Sequence, residues 1–402
     1  MKDLYENAGE LTRHCLDSLL NDEYAFFDEE DNYTKEYLLT YPFRNFSDGF
    51  TEVIQKHGFS GNPDSTEEKV KFVRACCQKN QVSLNTANIR NWFQEKRPVS
   101  SETSRELVFR LCFGLGMNLE EVTEFFLKVY FECPFNFRNH EEVIYYFCFL
   151  NHLNYTSAVK LKEKADSILK QAEPEQPAYE FTKNMGEGLK QIHTEEELLK
   201  YIHKNSSEFL VNNRTALKNA KSLLAECTTL ATNEFKKYEF HAEKETISHY
   251  PKKKSNVDLF LNILLDVDMM QYSGEKSFAK ASAFPELIKS NFPLKMQLSK
   301  IKNGKPVSYD AMRKALIVLS FYDYFTKLFE QNKSDKHFCV FESDFRVFVE
   351  ETNDLLTDCG YPPFYIRNPF DWLILHCANH PYPLNEFRDA FRRYYADIVE
   401  EF

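Results

Sequence analysis

The chain has 402 residues, 43% of them hydrophobic and 15% aromatic, which is apolar material enough for two or three domains with cores of their own. A formal net charge of -11 argues against a protein that coats nucleic acid through a general basic surface, because phosphate neutralisation needs a basic face. The 10 Cys form no CxxC pair, no apolar leader precedes them and no run approaches about 18 apolar residues, so a reduced, cytoplasmic setting without a membrane span is expected. Gly is scarce at 11 and apolar positions recur at three- and four-residue intervals, so the predicted fold is all-α. The 37 Phe and 22 Tyr are read as fillers of helix–helix interfaces.

In chain order, residues 1–62 read as an N-terminal helical segment. A helix over Leu11–Leu20 precedes the acidic run Asp28-Glu29-Glu30-Asp31 and an aromatic stretch through Phe50, and Gly58, Gly61, Asn62 and Pro63 punctuate the end. A first module, 63–172, opens with Ser65 as N-cap and a helix Lys69–Lys79 carrying Val70, Val73, Ala75 and Cys77. The Glu/Pro-rich stretch 173–177 is the clearest linker. A polar helical middle segment, 178–250, follows, with Thr194 and Glu197 placed for a capping box and Leu198, Leu199 and Ile202 on one face. The basic stretch 251–255 is a second boundary, read as a solvated loop, and a second module occupies 256–402.

The two modules are related. At a constant offset of 229 positions, Leu127–Cys148 and Leu356–Cys377 share Leu, Pro, Phe, Arg, Asn and Cys. Upstream, Ile89–Gly116 lines up with Leu298 onward, and Lys96 to Ser100 matches Gly304 to Ser308 at an offset of 208. The difference implies a 21-residue insertion in the second copy, near Asp323 to Asp344. Within the downstream motif, Asn139 and Asn368 suit helix N-caps and Pro369 a first helical position. Arg138 and Arg367, just before those caps, are expected to pair or pack within their own modules. The helices behind, Glu141–Leu150 and Phe370–Ala378, are apolar nearly all round and should be buried.

The upstream half of each copy resembles the helix-turn-helix of lambda-repressor and Cro-type regulators. Ile89-Arg90-Asn91-Trp92 and Leu298-Ser299-Lys300-Ile301 match its recognition helix, Pro98-Val99-Ser100 and Gly304-Lys305-Pro306-Val307-Ser308 the turn after it, and Leu107 to Gly116 and Ala311 to Leu319 the apolar helix beyond. Ile89 with Trp92, and Leu298 with Ile301, stand at i and i+3 and can seat the helix on a core. The resemblance implies two tandem helix-turn-helix-like modules that read double-stranded DNA as a transcriptional regulator. It assigns Arg90, Asn91, Gln94, Lys295, Gln297 and Lys300 to base edges, and Lys96, Arg97, Lys302 and Lys305 to phosphates. Local charge agrees: Lys79 to Arg97 holds four basic residues and one acidic, and Lys289 to Lys305 five basic and none acidic. The family needs two helices ahead of the recognition helix. The first copy leaves only Asn80–Asn88 before Ile89, too few for an added helix, whereas the second offers Ala281–Lys289 and a turn at Asn291-Phe292-Pro293.

The alternative is an acidic, aromatic-rich helical scaffold or inhibitor that binds a protein partner with a basic surface. His376 and His380 stand four apart and would clip a metal if a carboxylate approached, but a helix end near Pro381 explains them as well. With no phosphate-cradling Gly-rich loop and no nucleophile motif, neither an enzyme nor a cofactor is implied.

Overall fold

The structure, a computed structural model, describes residues 46–94, 98, 101–171, 188–206, 209, 214–241, 256–265, 295–365 and 368–388. The helix expected over Leu11–Leu20, both boundary stretches at 173–177 and 251–255, and the positioning helix expected over Ala281–Lys289 with its turn lie outside these residues. Every regular element described is helical, so the expected all-α class is the one observed. The chain divides into two compact units, one within 44–214 joined by 308–310, the other within 215–307 and 311–402.

The first unit holds α1 (Phe46–Lys56), α2 (Thr66–Lys79), α3 (Thr86–Trp92), α4 (Glu102–Leu115), α5 (Leu119–Phe125), α6 (His140–Leu150), α7 (Tyr155–Gln171) and α8 (Glu195–Lys204). Local side chains set where these begin. Ser65 accepts from the Glu68 amide at the start of α2, Asn118 and Glu121 form a capping box at α5, and Thr194 and Glu197 form another at α8. After α5 the chain tightens into a π-helical turn, Phe126–Tyr130, which ends at Phe131 in the left-handed region. The aromatic content goes where the composition suggested. Phe50 lies against Phe93 with centroids 4.4 Å apart, Phe113 against Phe149 at 4.0 Å, and Phe46, Trp92, Phe125 and Tyr130 pack edge to face around them. Close approach of α2 and α4 depends on Gly114. A β-carbon there would stand 2.5 Å from the Cys77 sulfur, so only hydrogen fits.

The second unit holds α9 (Arg214–His241), α10 (Asn256–Leu265), α11 (Lys295–Lys302), α12 (Tyr309–Gln331), α13 (Glu342–Asp358) and α14 (Pro369–Ala378). The α9 helix carries Ala216, Ala220, Leu224, Cys227 and Ala231 as one buried stripe, the spacing that a helix needs to lie along a neighbour. It is fastened to α12 by the Tyr322 hydroxyl donating to Glu234 at 3.0 Å and by Lys327 on Glu226 at 2.7 Å. Phe321, Phe325, Phe348 and Phe387 form the aromatic centre of this unit. The α12 helix runs on to Gln331, whereas α4 stops at Leu115, and a connection leads from Gln331 to α13, which covers most of the stretch where the 21-residue insertion was expected.

One polar arrangement occurs in both units at the two sequence offsets of the repeat. In the first, Arg105 donates to both carboxylate oxygens of Glu142 (2.7 and 2.8 Å) and to the Pro134 carbonyl (3.1 Å), while the Asn136 amide donates to Glu142 (2.7 Å). In the second, Arg313 donates to both oxygens of Asp371 (2.8 and 2.7 Å) and to the Pro363 carbonyl (2.9 Å), while the Tyr365 amide donates to Asp371 (2.8 Å). Each arginine pins the Pro-Phe loop to the start of the following helix. Asn139 and Asn368 cap those helices as expected, with Pro369 in the first turn of α14, and α6 and α14 are buried almost throughout. A second arginine of each copy, upstream of the one before the cap, makes the buried ion pair. Arg138 is half-buried and Arg367 lies outside the described residues, whereas Arg105 and Arg313 are buried and bidentate.

Candidate nucleic-acid interface

Two short helices carry the residues that the sequence assigns to DNA. The α3 helix starts at Asn85, whose side chain accepts from the Ala87 amide, and buries Ile89 and Trp92. The connection from α2 turns at Gln81, whose φ of 57° is left-handed, and the Val82 amide donates back to Cys77 to seal the end of α2. So α1 and α2 both precede α3, and α2 itself leads into it through the turn. No added helix lies in Asn80–Asn88, as expected; the further helix ahead of α3 is α1, which precedes α2.

The α11 helix buries Leu298 and Ile301, the same i and i+3 pair, and ends at Gly304 with φ 68°, where the Lys305 amide returns to the Lys300 carbonyl at 2.8 Å. Both expected seating pairs are thus in the core of their own unit.

Opposite the seated faces the assigned side chains fare differently. In α3, Asn91 is half-buried and Arg90 is engaged: its guanidinium donates twice to Glu67 of α2, at 3.0 and 3.1 Å, while Gln94, in the turn after the helix, is exposed. The hydrogen bonds and charge of Arg90 hold the Glu67 carboxyl below its ordinary value. Lys96 and Arg97 lie outside the described residues. Around α11, Lys300, Lys302 and Lys305 are exposed and Gln297 is half-buried, while Lys295 reaches Asp258 of α10 at 2.6 Å. The α11 end thus presents three lysines to solvent within six positions, and the α3 face presents polar side chains with its central cation held on a carboxylate.

No protein-family model, no curated protein and no solved structure matches the chain.

At the far end of α14, the histidine pair does meet a carboxylate. Glu386 stands 3.8 Å from His376 Nε2 and 3.7 Å from His380 Nε2. Those separations exceed hydrogen-bond length. His380 Nδ1 accepts from the Tyr382 amide at 3.1 Å, which places the proton of a neutral ring on Nε2 and points that nitrogen away from metal ligation. Among the described residues no group of three or more His, Cys, Asp or Glu side chains is arranged to hold a metal ion. No helix among them is long and apolar enough to cross a membrane.

Sequence reasoning passed over Arg105 and Arg313 as a pair, although the alignment itself superimposes them, and superimposes Glu142 on Asp371. The signal was the match itself: the offsets of 208 and 229 set Arg105 on Arg313 and Glu142 on Asp371.

Proposed function

We propose that the chain is a sequence-specific DNA-binding regulator, with α3 and α11 as the helices that meet the major groove. One observation carries the reading: each helix sinks an apolar pair at i and i+3 into its unit and turns polar or basic side chains outward, and α3 follows α2 through a left-handed turn. In this reading Gln94, Asn91, Gln297 and Lys300 approach bases, while Lys302 and Lys305 hold phosphates. Lys96 and Arg97 extend the first contact, and Arg90 and Lys295 join it by exchanging Glu67 and Asp258 for phosphate.

The test is fluorescence-anisotropy titration of fragmented genomic DNA at rising salt. Neutralising two phosphates through Lys302 and Lys305 gives a log–log slope of about -1.8. The Lys300→Glu/Lys302→Glu double variant should weaken binding at low salt at least tenfold and flatten that slope. Binding that is absent at 50 mM salt, or unchanged in this variant, removes the proposal.

A second reading draws on the same two ion pairs. An acidic helical scaffold that binds a protein partner with a basic surface needs neither Arg90 nor Lys295 released, and both are held on carboxylates of this chain.

A further inference from the structure

The second unit contains a cavity of about 630 Å³ between α9, α12 and the segment 382–388, within the size range of ligand clefts. Part of its lining is apolar: Phe329, Tyr382, Leu230 and Leu384. The two rings are 28° from parallel with centroids 6.4 Å apart, and both are placed by neighbours. Phe338 braces Phe329 edge to face at 5.3 Å. The chain before Tyr382 is pinned by the Val340 amide donating to the Pro381 carbonyl at 2.9 Å, and the Tyr382 amide donates to His380 Nδ1 at 3.1 Å. An aromatic body therefore meets a preset aromatic surface.

The cationic group of the lining is Arg388, whose side chain is 11% exposed. Two of its nitrogens are spent on the fold. Nε donates to the Ile263 carbonyl at the end of α10 (3.1 Å), and Nη2 donates to Glu234 of α9 (2.8 Å). Nη1 makes no hydrogen bond among the described residues, and it is not sealed among the buried polar atoms that lack a partner. A guanidinium nitrogen with two hydrogens that reaches accessible space beside apolar walls calls for an acceptor oxygen. The charge of that acceptor is set by Glu234. One of its oxygens takes Arg388 and the other takes the Tyr322 hydroxyl at 3.0 Å, so the guanidinium is already neutralised. A ligand carboxylate would give up its hydration and gain a cation shared with another carboxylate, whereas a carbonyl oxygen accepts the same hydrogen bond at a smaller desolvation cost.

We infer that this cleft binds a small, neutral aryl compound, its carbonyl oxygen accepting from Arg388 Nη1 and its ring laid against Phe329 and Tyr382. The site is separate from α3 and α11 and stands whether or not the chain binds DNA.

The experiment is equilibrium dialysis of the full chain against three probes of one shape: hydrocinnamamide, which is neutral with a carbonyl, hydrocinnamate, which is an anion, and isopentylbenzene, which has no acceptor. Saturable binding of the amide is expected, with the anion about tenfold weaker. Arg388→Met/Glu234→Gln removes the ion pair as a unit; it should weaken the amide about tenfold and leave isopentylbenzene within about twofold. Leu384→Trp, which fills the apolar side, should abolish binding of both, and circular dichroism checks that each variant is folded. No saturable binding of the amide, or an anion bound as tightly as the amide, overturns the assignment. So does a folded variant of either kind that binds the amide like the parent, or a folded double variant that weakens the amide and isopentylbenzene equally. If neither variant folds, the amide and anion affinities of the parent chain decide.

Discussion

Replacing Arg105 by Met removes the counter-charge of two buried carboxylates. The side chain of Glu142 is 5% exposed and that of Glu132 is 2% exposed, so neither gains water when the guanidinium goes. Breaking a buried ion pair from one side costs about 3–5 kcal/mol. Glu142 keeps the Asn136 amide at 2.7 Å, which places the expected loss at the lower end, about 3 kcal/mol. Against a domain stability of about 5–15 kcal/mol, that is a large fraction. The assay uses the distribution of the two tryptophans: Trp92 lies in the first unit and Trp372 in the second. In a Trp372→Phe background, urea unfolding followed by fluorescence reports on Trp92 alone. With a slope of about 1–3 kcal/mol per molar urea, Arg105→Met should lower the midpoint by about 1–3 M. Arg105→Met/Glu142→Met should cost clearly less than its two single variants added together, because the pair leaves as a unit. A loss below about 1 kcal/mol, or strict additivity, would refute the account of Arg105 as the pin of the Pro-Phe loop.

Gly114→Ala should cost about 1–3 kcal/mol through overlap with the Cys77 sulfur, and Cys77→Ala should relieve most of it in a thermal melt; a single variant as stable as the parent contradicts the close approach of α2 and α4. Glu67→Gln frees Arg90, so under the DNA reading it should tighten binding several-fold at low salt in the anisotropy assay; weaker binding would mean that Glu67 positions α3 and does not mask its arginine. Burial pushes the Cys77 and Cys148 thiols up to about 12 from an ordinary value of 9.0. Below pH 9 folded and unfolded chains both keep these protons and nothing changes. Between 9 and 12 only the unfolded chain releases them, so stability falls by about 1.4 kcal/mol per pH unit per thiol. Urea midpoints at pH 8, 9.5 and 10.5 should show this decline, shallower in Cys77→Ala/Cys148→Ala; an identical decline in that variant assigns it elsewhere.

Much of the fold was written in short-range sequence. The caps at Ser65, Asn118, Asn139, Thr194 and Asn368 depend on one side chain reaching an amide two or three residues ahead, and the seating of α3 and α11 depends on apolar residues at i and i+3. The repeat in Leu127–Cys148 and Leu356–Cys377 also marked where two helices would be buried on all sides. Interactions between distant segments were decided only by tertiary structure. Arg105 meets Glu142 across 37 positions and Arg313 meets Asp371 across 58, and nothing in the local pattern around either arginine distinguishes a buried ion pair from a solvated charge. The candidate interface shows the same division. Its helices were legible from spacing, but that Arg90 is held by Glu67 and Lys295 by Asp258 follows from how neighbouring helices cross. The cleft lined by Leu230, Phe329 and Arg388 had no local signature at all, because three segments far apart in the chain each supply one wall, and only their packing makes a cavity of them.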